Sequence, residues 1–246
     1  ESLLKKTAES TSKHLRLTKI MVRSLANYVF VRFSFDTQDA MGMNMVTIAT
    51  QKMTQLIEEE TGIECLSVAG NFDIDKKPAW LNFIENKGIK AWAEIVIPEK
   101  VVQDSLKTTP EKIFDVWLSK CMIGSAMSGA LGFNAHFANI IAALFIATGQ
   151  DPAHVVEGSM GITTAKVLKN GDLYFSIYLP ALMLGTVGGG TNLATQKEAL
   201  TILGIENNKV EKLAEIVAGT VLAGELSLIA SLSEGSLAKA HQELGR

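Results

Sequence analysis

The sequence predicts an α+β protein in which a large, mainly helical domain surrounds a long central helix and a smaller layer combines helices with strands. Three observations predict this. Residues 124–151 are small or apolar on every side, residues 15–35 contain two β-rich runs, and 47% of the 246 residues are hydrophobic against 20% charged. Such a composition is typical of a globular chain of one or two domains with a sizeable core.

The first part of the chain predicts a small layer of helices and strands. Helical spacing runs to about Glu9, and residues 10–13 form a polar loop. Apolar alternation on both sides of a short polar turn predicts a β-hairpin, and the following helical spacing ends at a glycine that is suited to a C-cap. The expected elements are strands at Leu15–Val22 and Tyr28–Phe35 around the turn 24–27, a helix at Met43–Glu60 closed by Gly62, and a strand at Glu64–Val68.

After Gly70 the pattern becomes mainly helical with a modest sheet. Asn170-Gly171 between two apolar runs is a strong hairpin signal. Prolines and glycines mark the other boundaries. The expected elements are a polar loop at 71–77, a short helix from Pro78 to Gly88, a strand at Ala91–Ile97, helices at Pro98–Leu106 and Pro110–Met122, a short helix from Asp151, strands at Ile162–Leu168 and Leu173–Leu179, and helices at Leu193–Leu203 and Val210–Leu232.

The run 124–151 predicts one buried helix, because its small residues would let neighbouring segments approach on every side. Its longest stretch without a strongly polar residue, Ile140–Thr148, is much shorter than the roughly 18 to 20 residues that cross a bilayer. Asn134, His136 and Asn139 interrupt the apolar pattern and need buried partners or a pocket. Taken alone, His136 is more readily explained as a satisfied core histidine than as a ligand contact.

Composition excludes several classes of function. A net charge of -3 with a pI of about 5.9 gives no sign of the basic surface that nucleic-acid-binding proteins carry. Cys65 and Cys121 form no CxxC motif, which indicates a reduced intracellular protein, and the histidines at 14, 136, 154 and 241 lack metal-ligand spacing, so we expect no metal. The chain opens inside a helical pattern without Met or an N-cap, so we expect an N-terminal portion to be missing.

Three stretches could carry chemistry. The loop with Asp73, Asp75, Lys76 and Lys77 could present a fixed cation to a developing oxyanion, although a solvated charged loop is the simpler explanation. The glycines 188–190 allow close backbone approach to a ligand but match no nucleotide motif. DAMGMN at 39–44 places free backbone N–H groups at a helix start, where an anion is favoured.

Together these stretches resemble one family: DAMGMN at 39–44, GNFDIDKKPAWLNFIENKG at 70–88, GSAMSG and NAHFANI within 124–140, GTVGGGTNL at 185–193 and GTVLAGELSLIASL at 219–232. They are similar, from about Ser10 to His241, to the catalytic domain of class I 3-hydroxy-3-methylglutaryl-CoA (HMG-CoA) reductases. The resemblance implies a four-electron reduction of HMG-CoA to mevalonate and CoA with two NADPH. It also implies a small ferredoxin-like NADP(H)-binding domain at 1–67 and a large HMG-CoA-binding domain at 68–246, with a catalytic loop at 68–79 and a C-terminal flap at 233–246.

The resemblance assigns roles to single residues. Lys76 would stabilise the oxyanion, Asp151 would tune Lys76 and its carboxylic-acid partner, and His241 would protonate the departing CoA thiolate. Substrate-binding positions would be Asp75, Lys77, Lys107, Lys120, His136 and Asn139, which favours ligand contact for His136. Coenzyme-binding positions would be Ser12, Lys13, His14, Asp39, Ala40, Met41, Gly42, Met43, Asn44, Val187 and Gly188, with Lys13 near the 2′-phosphate.

Departures from the family pattern leave other functions open. Ala69 stands where many relatives have a substrate-binding serine, and the family's catalytic glutamate precedes the segment where this chain begins. We therefore expect the 246 residues alone to be inactive. The alternatives are a truncated or degenerate relative that acts as a non-catalytic binding or assembly module, and a different NAD(P)-dependent enzyme on this scaffold. The family further implies a soluble cytoplasmic homodimer or higher homo-oligomer with shared active sites and neither a membrane nor a nucleic-acid partner.

Overall fold

The computed structural model describes residues 1–205 and 209–235, and its mixed helical and sheet architecture confirms the predicted α+β class. His241 and most of the expected flap 233–246 lie outside the described residues. The first part of the chain contains α1 (Ser2–Glu9), β1 (Arg16–Leu25), β2 (Tyr28–Asp36) and α2 (Met43–Thr61).

The remainder contains fourteen further elements within the described residues. They are α3 (Leu81–Glu85), β3 (Ile89–Ile97), α4 (Glu99–Leu106), α5 (Pro110–Val116), a π-helical segment (Trp117–Gly124), α6 (Ser125–Ser128), α7 (Phe137–Thr148), a 3₁₀ turn (Pro152–His154), α8 (Val155–Gly158), β4 (Ile162–Val167), β5 (Leu173–Leu182), a second 3₁₀ turn (Gly189–Asn192), α9 (Ala194–Ile202) and α10 (Val210–Glu234).

The hairpin β1–β2 and the helices α1 and α2 share a small hydrophobic core of their own. The strands pair antiparallel from Arg16↔Asp36 to Leu25↔Tyr28, as the alternation predicts. One face of the hairpin packs on the helices because apolar side chains alternate along it. The fully or nearly buried members of this core are Ala8, Leu15, Leu17, Ala49 and Met53. Helix α2 ends at Gly62, which adopts the left-handed conformation expected of a C-cap.

The strand predicted at Glu64–Val68 is wrong. This segment is irregular, and Leu66 is exposed. The backbone N–H of Cys65 donates to Glu58 Oε1 at 2.6 Å, so a side chain takes a donor that a strand partner would otherwise take. The first sheet has two strands, β1 and β2. A β-prone sequence forms a strand only where an edge is available to pair with it, and no described segment offers one here.

The larger core lies between a three-stranded antiparallel sheet and the helices. The order is β3-β5-β4, so β5 is central, and its residues from Leu179 to Leu182 are buried in succession. β4 and β5 form the hairpin that Asn170-Gly171 predicts, with Gly171 at φ 87°. Helix α10 packs against β3, β5, α5 and α7, which makes it the central helix of the described chain.

The single helix predicted across 124–151 is also wrong, because the structure breaks it between Gly129 and His136. Gly129 adopts φ 68° and ends α6. The following backbone groups find partners outside any helix: Phe133 bridges to Gly161 and Thr163 next to β4, and the N–H groups of Ala135 and His136 donate to the Glu225 carboxylate at 2.7 Å. Because these groups are satisfied elsewhere, the helix restarts only at Phe137.

The helix predicted at Pro110–Met122 changes type halfway. It is α-helical to Val116 and π-helical from Trp117 to Gly124. A π-helix places one more residue in each turn. The Trp117 indole N–H donates to Thr163 O of β4 at 2.5 Å, and the fully buried Cys121 has its Sγ 3.9 Å from Glu225 Oε1 of α10. The widened turn therefore seats one side chain against the sheet and the other against α10.

Helix α10 is long and apolar enough to span a membrane by length and composition alone. Nine of its 25 residues are buried within the described chain, and one of them is Glu225. A helix whose apolar residues pack on strands and neighbouring helices meets the same criterion without a bilayer. The structure therefore accounts for the hydropathy of α10 by core packing.

Two glycine substitutions test this fold in opposite directions. Gly219 is exposed within α10 and a Cβ there would meet nothing within 4 Å, so Gly219→Ala should raise the free energy of unfolding by about 0.5–1 kcal/mol. Gly149 has φ 72° and a Cβ there would overlap the Gly190 carbonyl. Gly149→Ala should lower the free energy of unfolding by at least about 1–2 kcal/mol. Urea unfolding of both variants measures the two changes, and the same sign for both would contradict the packing.

Candidate functional site

The loop at 68–79 is irregular and is anchored by one apolar side chain. Ile74 is buried, whereas Lys76 and Lys77, which follow it in the loop, are exposed. Asn71, Ile74 and Lys76 adopt φ of 57–58°, in the left-handed region that non-glycine residues rarely occupy. Such strained backbone persists only where surrounding contacts hold it, and it is frequent at functional sites.

Lys76 and Asp151 form an ion pair with Nζ 3.0 Å from Oδ2. The hydrogen bond from Lys76 to Asp151 is the main reason that the pKa of the Lys76 ammonium is raised, so this side chain carries its positive charge across the physiological range. Burial alone would raise the pKa of Asp151, but hydrogen bonds from Lys76 and from the backbone of Ala153 outweigh it and the pKa is lowered. The pair is partly exposed, which leaves the ammonium accessible to a ligand.

A second lysine lies beneath this pair. Lys87 Nζ donates to Ile74 O, Asp75 Oδ1 and Glu157 Oε1 at 3.0–3.1 Å, and only 11% of its side chain is exposed. Its three donors meet three acceptors, as a buried ammonium requires. Lys87 therefore ties the loop at Ile74 and Asp75 to α8.

Glu157 and His154 complete this buried cluster. His154 Nδ1 lies 2.9 Å from Glu157 Oε1, and both side chains are fully buried. Burial alone would raise the pKa of Glu157, but the hydrogen bond from His154, the charge of Lys87 and a backbone bond from Lys76 lower it. His154 Nε2 makes no hydrogen bond among the described residues and lies 3.8 Å from Asp151 Oδ2 and 3.9 Å from Asp75 Oδ1.

Asp75, His154 and Glu157 have the donor atoms of a metal site, and their ligand atoms lie within 4.8 Å of one another. The Lys87 ammonium, however, contacts the Asp75 and Glu157 oxygens directly. A fixed ammonium already neutralises these carboxylates and would repel a divalent cation. The donor set therefore does not fit a resident metal ion.

The substrate-binding positions predicted on lysines lie at different places. Lys77 Nζ donates to Asp75 O at 2.9 Å and so stays within the loop. Lys107 ends α4 and donates to Asp104 O, and Lys120 is exposed on the π-helical segment. Within residues 1–205 and 209–235, no hydrogen bond joins Lys107 or Lys120 to the loop at 68–79. Their roles stay predictions.

His136 and Asn139 stand together at the start of α7. His136 Nδ1 is 3.2 Å from Asn139 Nδ2, and His136 is half-buried rather than a core residue. Glu225 positions this helix start by accepting from Ala135 N, His136 N and Thr163 Oγ1. Burial raises the pKa of Glu225, although these hydrogen bonds oppose it.

Two of the predicted coenzyme-binding segments meet in the structure. Ala40 and Val187 form a parallel β-bridge, and Asp39 O accepts from Thr186 N at 2.8 Å. Asp39 Oδ1 also accepts from the backbone of Val210 at the start of α10. The segments 39–44 and 185–188 are therefore one surface, although 140 residues separate them in the sequence.

The start of α2 on this surface has free donors. Gly42 is its N-cap at φ 85° and makes no side-chain cap, and Met43 follows with exposed Asn44. A Cβ on Gly42 would overlap Thr37, so glycine is required there. Backbone N–H groups at the start of a 19-residue helix favour an anionic ligand.

The third predicted coenzyme-binding segment, residues 12–14, lies next to the segment 39–44. Ser12 Oγ is 3.5 Å from Met45 Sδ, and His14 Nδ1 is 3.0 Å from Gln38 Oε1. Lys13 between them is exposed. Residues 12–14, 39–44 and 187–188 therefore stand near one another, with Met41 touching the backbone at Gly185.

The hairpin β1–β2 connects the surface formed by these segments, here called the coenzyme surface, to the loop at 68–79, here called the charged loop. The rings of Phe30 on β2 and Phe72 in the loop lie 6.0 Å apart edge to face, and Lys19 pairs with Glu85 at 2.6 Å. A cavity of about 910 Å³ lies between β2, α2 and residues 63–73, and Asp75 and Lys87 reach its lining. A ligand could thus contact the loop and the hairpin together.

Sequence reasoning missed Lys87, His154, Glu157 and Glu225. Lys87 and Glu225 lie inside the motifs that carry the resemblance, but their role depends on partners far along the chain. Glu157 and His154 stand three residues apart on one turn, which was the available signal, and nothing local indicates that they are buried.

Comparisons with known proteins agree on one family. The family description hydroxymethylglutaryl-coenzyme A reductase matches residues 2–246. The 3-hydroxy-3-methylglutaryl-coenzyme A reductase of Methanothermobacter thermautotrophicus is 53% identical over 99% of this chain, and that of Methanocaldococcus jannaschii is 52% identical over 99%. The chain spans 62% of the length of each of these two relatives.

Solved structures show a similar fold. The class II 3-hydroxy-3-methylglutaryl-CoA reductase from Streptococcus pneumoniae, solved bound to NADPH in open conformations, superposes with a TM-score of 0.70 over 94% of this chain and 64% of its own. Its sequence identity is 20%. A second structure of that reductase gives a TM-score of 0.71 at 18% identity. These likenesses support the fold that positions the loop at 68–79.

The ion pair at the centre of the site predicts a measurable change in the pKa of Lys76. Asp151→Asn removes the negative charge that raises this pKa and leaves only the weaker amide oxygen as acceptor, so the Lys76 ammonium should titrate at lower pH, closer to the ordinary lysine value of about 10.4. Carbon-13 NMR of labelled lysine side chains, assigned with Lys76→Arg, measures it. Asp115→Asn, a change at an exposed residue of α5, is the control, and an unchanged Lys76 pKa in Asp151→Asn would contradict the pairing.

Proposed function

We propose that this chain, which belongs to the hydroxymethylglutaryl-coenzyme A reductase family, is the larger part of an enzyme that reduces HMG-CoA to mevalonate and CoA with two NADPH. The observation that carries the proposal is the ion pair between Lys76, on a strained loop, and Asp151. Lys76 Nζ lies 3.0 Å from Asp151 Oδ2, and the pair is open to a ligand. The chain spans 62% of two of its relatives, so other residues of the complete polypeptide would contribute to the site.

Lys76 supplies the positive charge that the reaction needs. Reduction of a thioester, and then of an aldehyde, places negative charge on the carbonyl oxygen in each step. A fixed cation near that oxygen lowers the barrier by electrostatic stabilisation. The pKa of Lys76 is raised, so its ammonium stays protonated, and Asp151 holds it in place. After the oxyanion has been protonated, the Asp151 carboxylate still balances the charge of the ammonium.

The coenzyme surface follows from the three neighbouring segments. The start of α2 offers backbone donors to a pyrophosphate, and Gly188, in the segment that bridges to Ala40, permits close backbone approach. Exposed Lys13 would meet the 2′-phosphate, which favours NADPH over NADH. NADPH supplies the hydride, and equal oxidation rates for NADPH and NADH would contradict the assignment of Lys13. We assign residues 1–67 to this coenzyme-binding domain.

The substrate occupies the opposite side of the loop. Asp75, Lys77 and Lys120 hold the hydroxymethylglutaryl group, with Lys120 pairing its free carboxylate. His136 and Asn139, which are accessible at the start of α7, line the acyl pocket, and Lys107 meets the CoA phosphates. His241, outside the described residues, protonates the leaving thiolate, since an acid with a pKa near neutrality suits that step.

The enzyme is proposed to be a soluble cytoplasmic homo-oligomer whose sites lie at subunit boundaries. The coenzyme surface and the charged loop both face outward, and apolar side chains such as Trp92 and Val96 on the edge strand β3 are exposed. An active monomer in sedimentation experiments on the complete polypeptide would contradict this part of the proposal. The alternative, a non-catalytic binding module, predicts coenzyme binding without mevalonate formation.

The reductase function predicts that Lys76 serves both reduction steps. In the complete polypeptide, Lys76→Ala should reduce turnover of HMG-CoA and of free mevaldehyde by about 10²–10³-fold, as loss of an oxyanion donor does. NADPH affinity should stay within a few-fold. NADPH oxidation assays with both substrates measure this, and Lys166→Ala at an exposed position of β4 is the control. Turnover within a few-fold of the parent would remove Lys76 from its role.

The same two assays separate His241 from Lys76. His241→Gln should slow the reduction of HMG-CoA, in which a thiolate leaves, and should spare the reduction of mevaldehyde, in which none does. The expected loss for the thioester is about 10²-fold or more, as for other general acids. Equal slowing of both substrates would show that His241 acts elsewhere.

A further inference from the structure

The buried carboxylate of Glu157 contacts the backbone of the loop residue that the proposed reaction depends on. Glu157 Oε1 accepts from Lys76 N at 3.0 Å, from Lys87 Nζ at 3.1 Å and lies 2.9 Å from His154 Nδ1. One oxygen atom therefore joins the loop at 68–79, the segment after α3 and the turn that follows Asp151.

The bond to Lys76 N acts at the strained point of the loop. Lys76 has φ 57°, and Ile74 two residues earlier has φ 58°. A left-handed residue with a side chain needs external contacts to hold it. Glu157 supplies the acceptor at Lys76 N, and Lys87, bound to the same oxygen, holds Ile74 O and Asp75 Oδ1 on the other side of the turn.

The cost of burying these charges argues for a specific role. Replacing a buried ion pair by apolar side chains is often neutral or stabilising, so burial of Lys87 and Glu157 is poorly explained by stability alone. The cluster lies directly under the exposed pair Lys76–Asp151, and His154 Nε2, itself fully buried and without a hydrogen bond among the described residues, stands between Asp75 and Asp151. The charged side chains of this cluster therefore lie around the backbone of Lys76.

We propose that Glu157 is a positioning residue for Lys76: with Lys87 as its counter-ion and His154 as its neighbour, it fixes the left-handed turn that directs the Lys76 ammonium to Asp151. Glu157 does not touch the substrate in this arrangement, and it acts through the backbone of Lys76. The inference rests on the proposed reductase function for its effect on turnover, but its structural content stands on the contacts alone.

Two substitutions separate position from charge. Glu157→Gln and Glu157→Ala both remove the negative charge, but glutamine keeps a carbonyl oxygen that can accept from Lys76 N. If position matters, Glu157→Ala in the complete polypeptide should reduce kcat about 10–100-fold, because a displacement of about 1 Å at a reacting group costs on the order of 10²-fold in rate. Glu157→Gln should retain at least ten-fold more activity than Glu157→Ala. The Kd for NADPH should be unchanged in both.

The control for stability is Ile113→Ala, which removes a fully buried side chain from α5, an element that carries none of the proposed site residues. It should lower the urea midpoint as much as Glu157→Ala does while leaving kcat of the folded protein unchanged. If Ile113→Ala lowers kcat as far as Glu157→Ala does, the effect of Glu157 is general destabilisation and the proposal is overturned.

A second readout does not depend on activity. The pKa of Lys76, measured by carbon-13 NMR, should fall further in Glu157→Ala than in Glu157→Gln, since only the former also loosens the ion pair with Asp151. Equal kcat and equal Lys76 pKa in the two variants would overturn the positioning role. An inactive parent polypeptide would refute the proposed function instead, and the NMR comparison would still decide whether Glu157 positions Lys76.

Discussion

The buried carboxylate of Glu225 is the contact on which the arrangement of the larger core depends. It joins α10 to the backbone of Ala135 and His136 and to the hydroxyl of Thr163 in β4. Each donor satisfies part of a buried carboxylate, and loss of a partner from a buried polar group costs more than an exposed ion pair contributes. The three segments are thereby fixed to one another although they are distant in the sequence.

The position of the proposed catalytic carboxylate follows from this contact. Glu225 sets where α7 begins, and the helix then runs for twelve residues to Gly149. There the chain approaches Gly190 so closely that neither glycine could carry a side chain. Asp151, two residues later, and the glycines 188–190 are therefore both placed by the C-terminal end of α7, while Glu225 fixes the other end of this helix. The proposed reaction site and the predicted coenzyme surface would thus share one rigid support.

Sequence reasoning succeeded where the signal was local. The hairpins at 16–36 and 162–182, α2 with its Gly62 cap and α10 all follow from spacing, turn residues and glycine within a few positions. It failed at 129–136, because the partners that replace helical hydrogen bonds lie up to 90 residues away. It also failed at 64–68, where the sequence favours a strand but no partner strand is present among the described residues.

The candidate site divides in the same way. The exposed lysines and the coenzyme segments could be named from motifs, whereas Lys87, His154 and Glu157 could not, because burial and mutual contact define them. A charged residue in a sequence carries no sign of whether it will be buried. Only the fold shows that Lys76 is open to a ligand while Lys87, eleven positions later, is enclosed.

The π-helical segment from Trp117 to Gly124 has a consequence for how this region tolerates change in chain length. Wider turns of this kind correspond to one residue more than a regular helix would hold. A single-residue deletion there would restore α-helical phase instead of breaking the helix. The flanking helices would keep their directions, but side chains inside the segment would turn by up to about 100°, the rotation per residue of an α-helix. Cys121 would then leave the core, and Lys120 would point in a new direction, so the extra residue sets the direction of a side chain rather than the length of a helix.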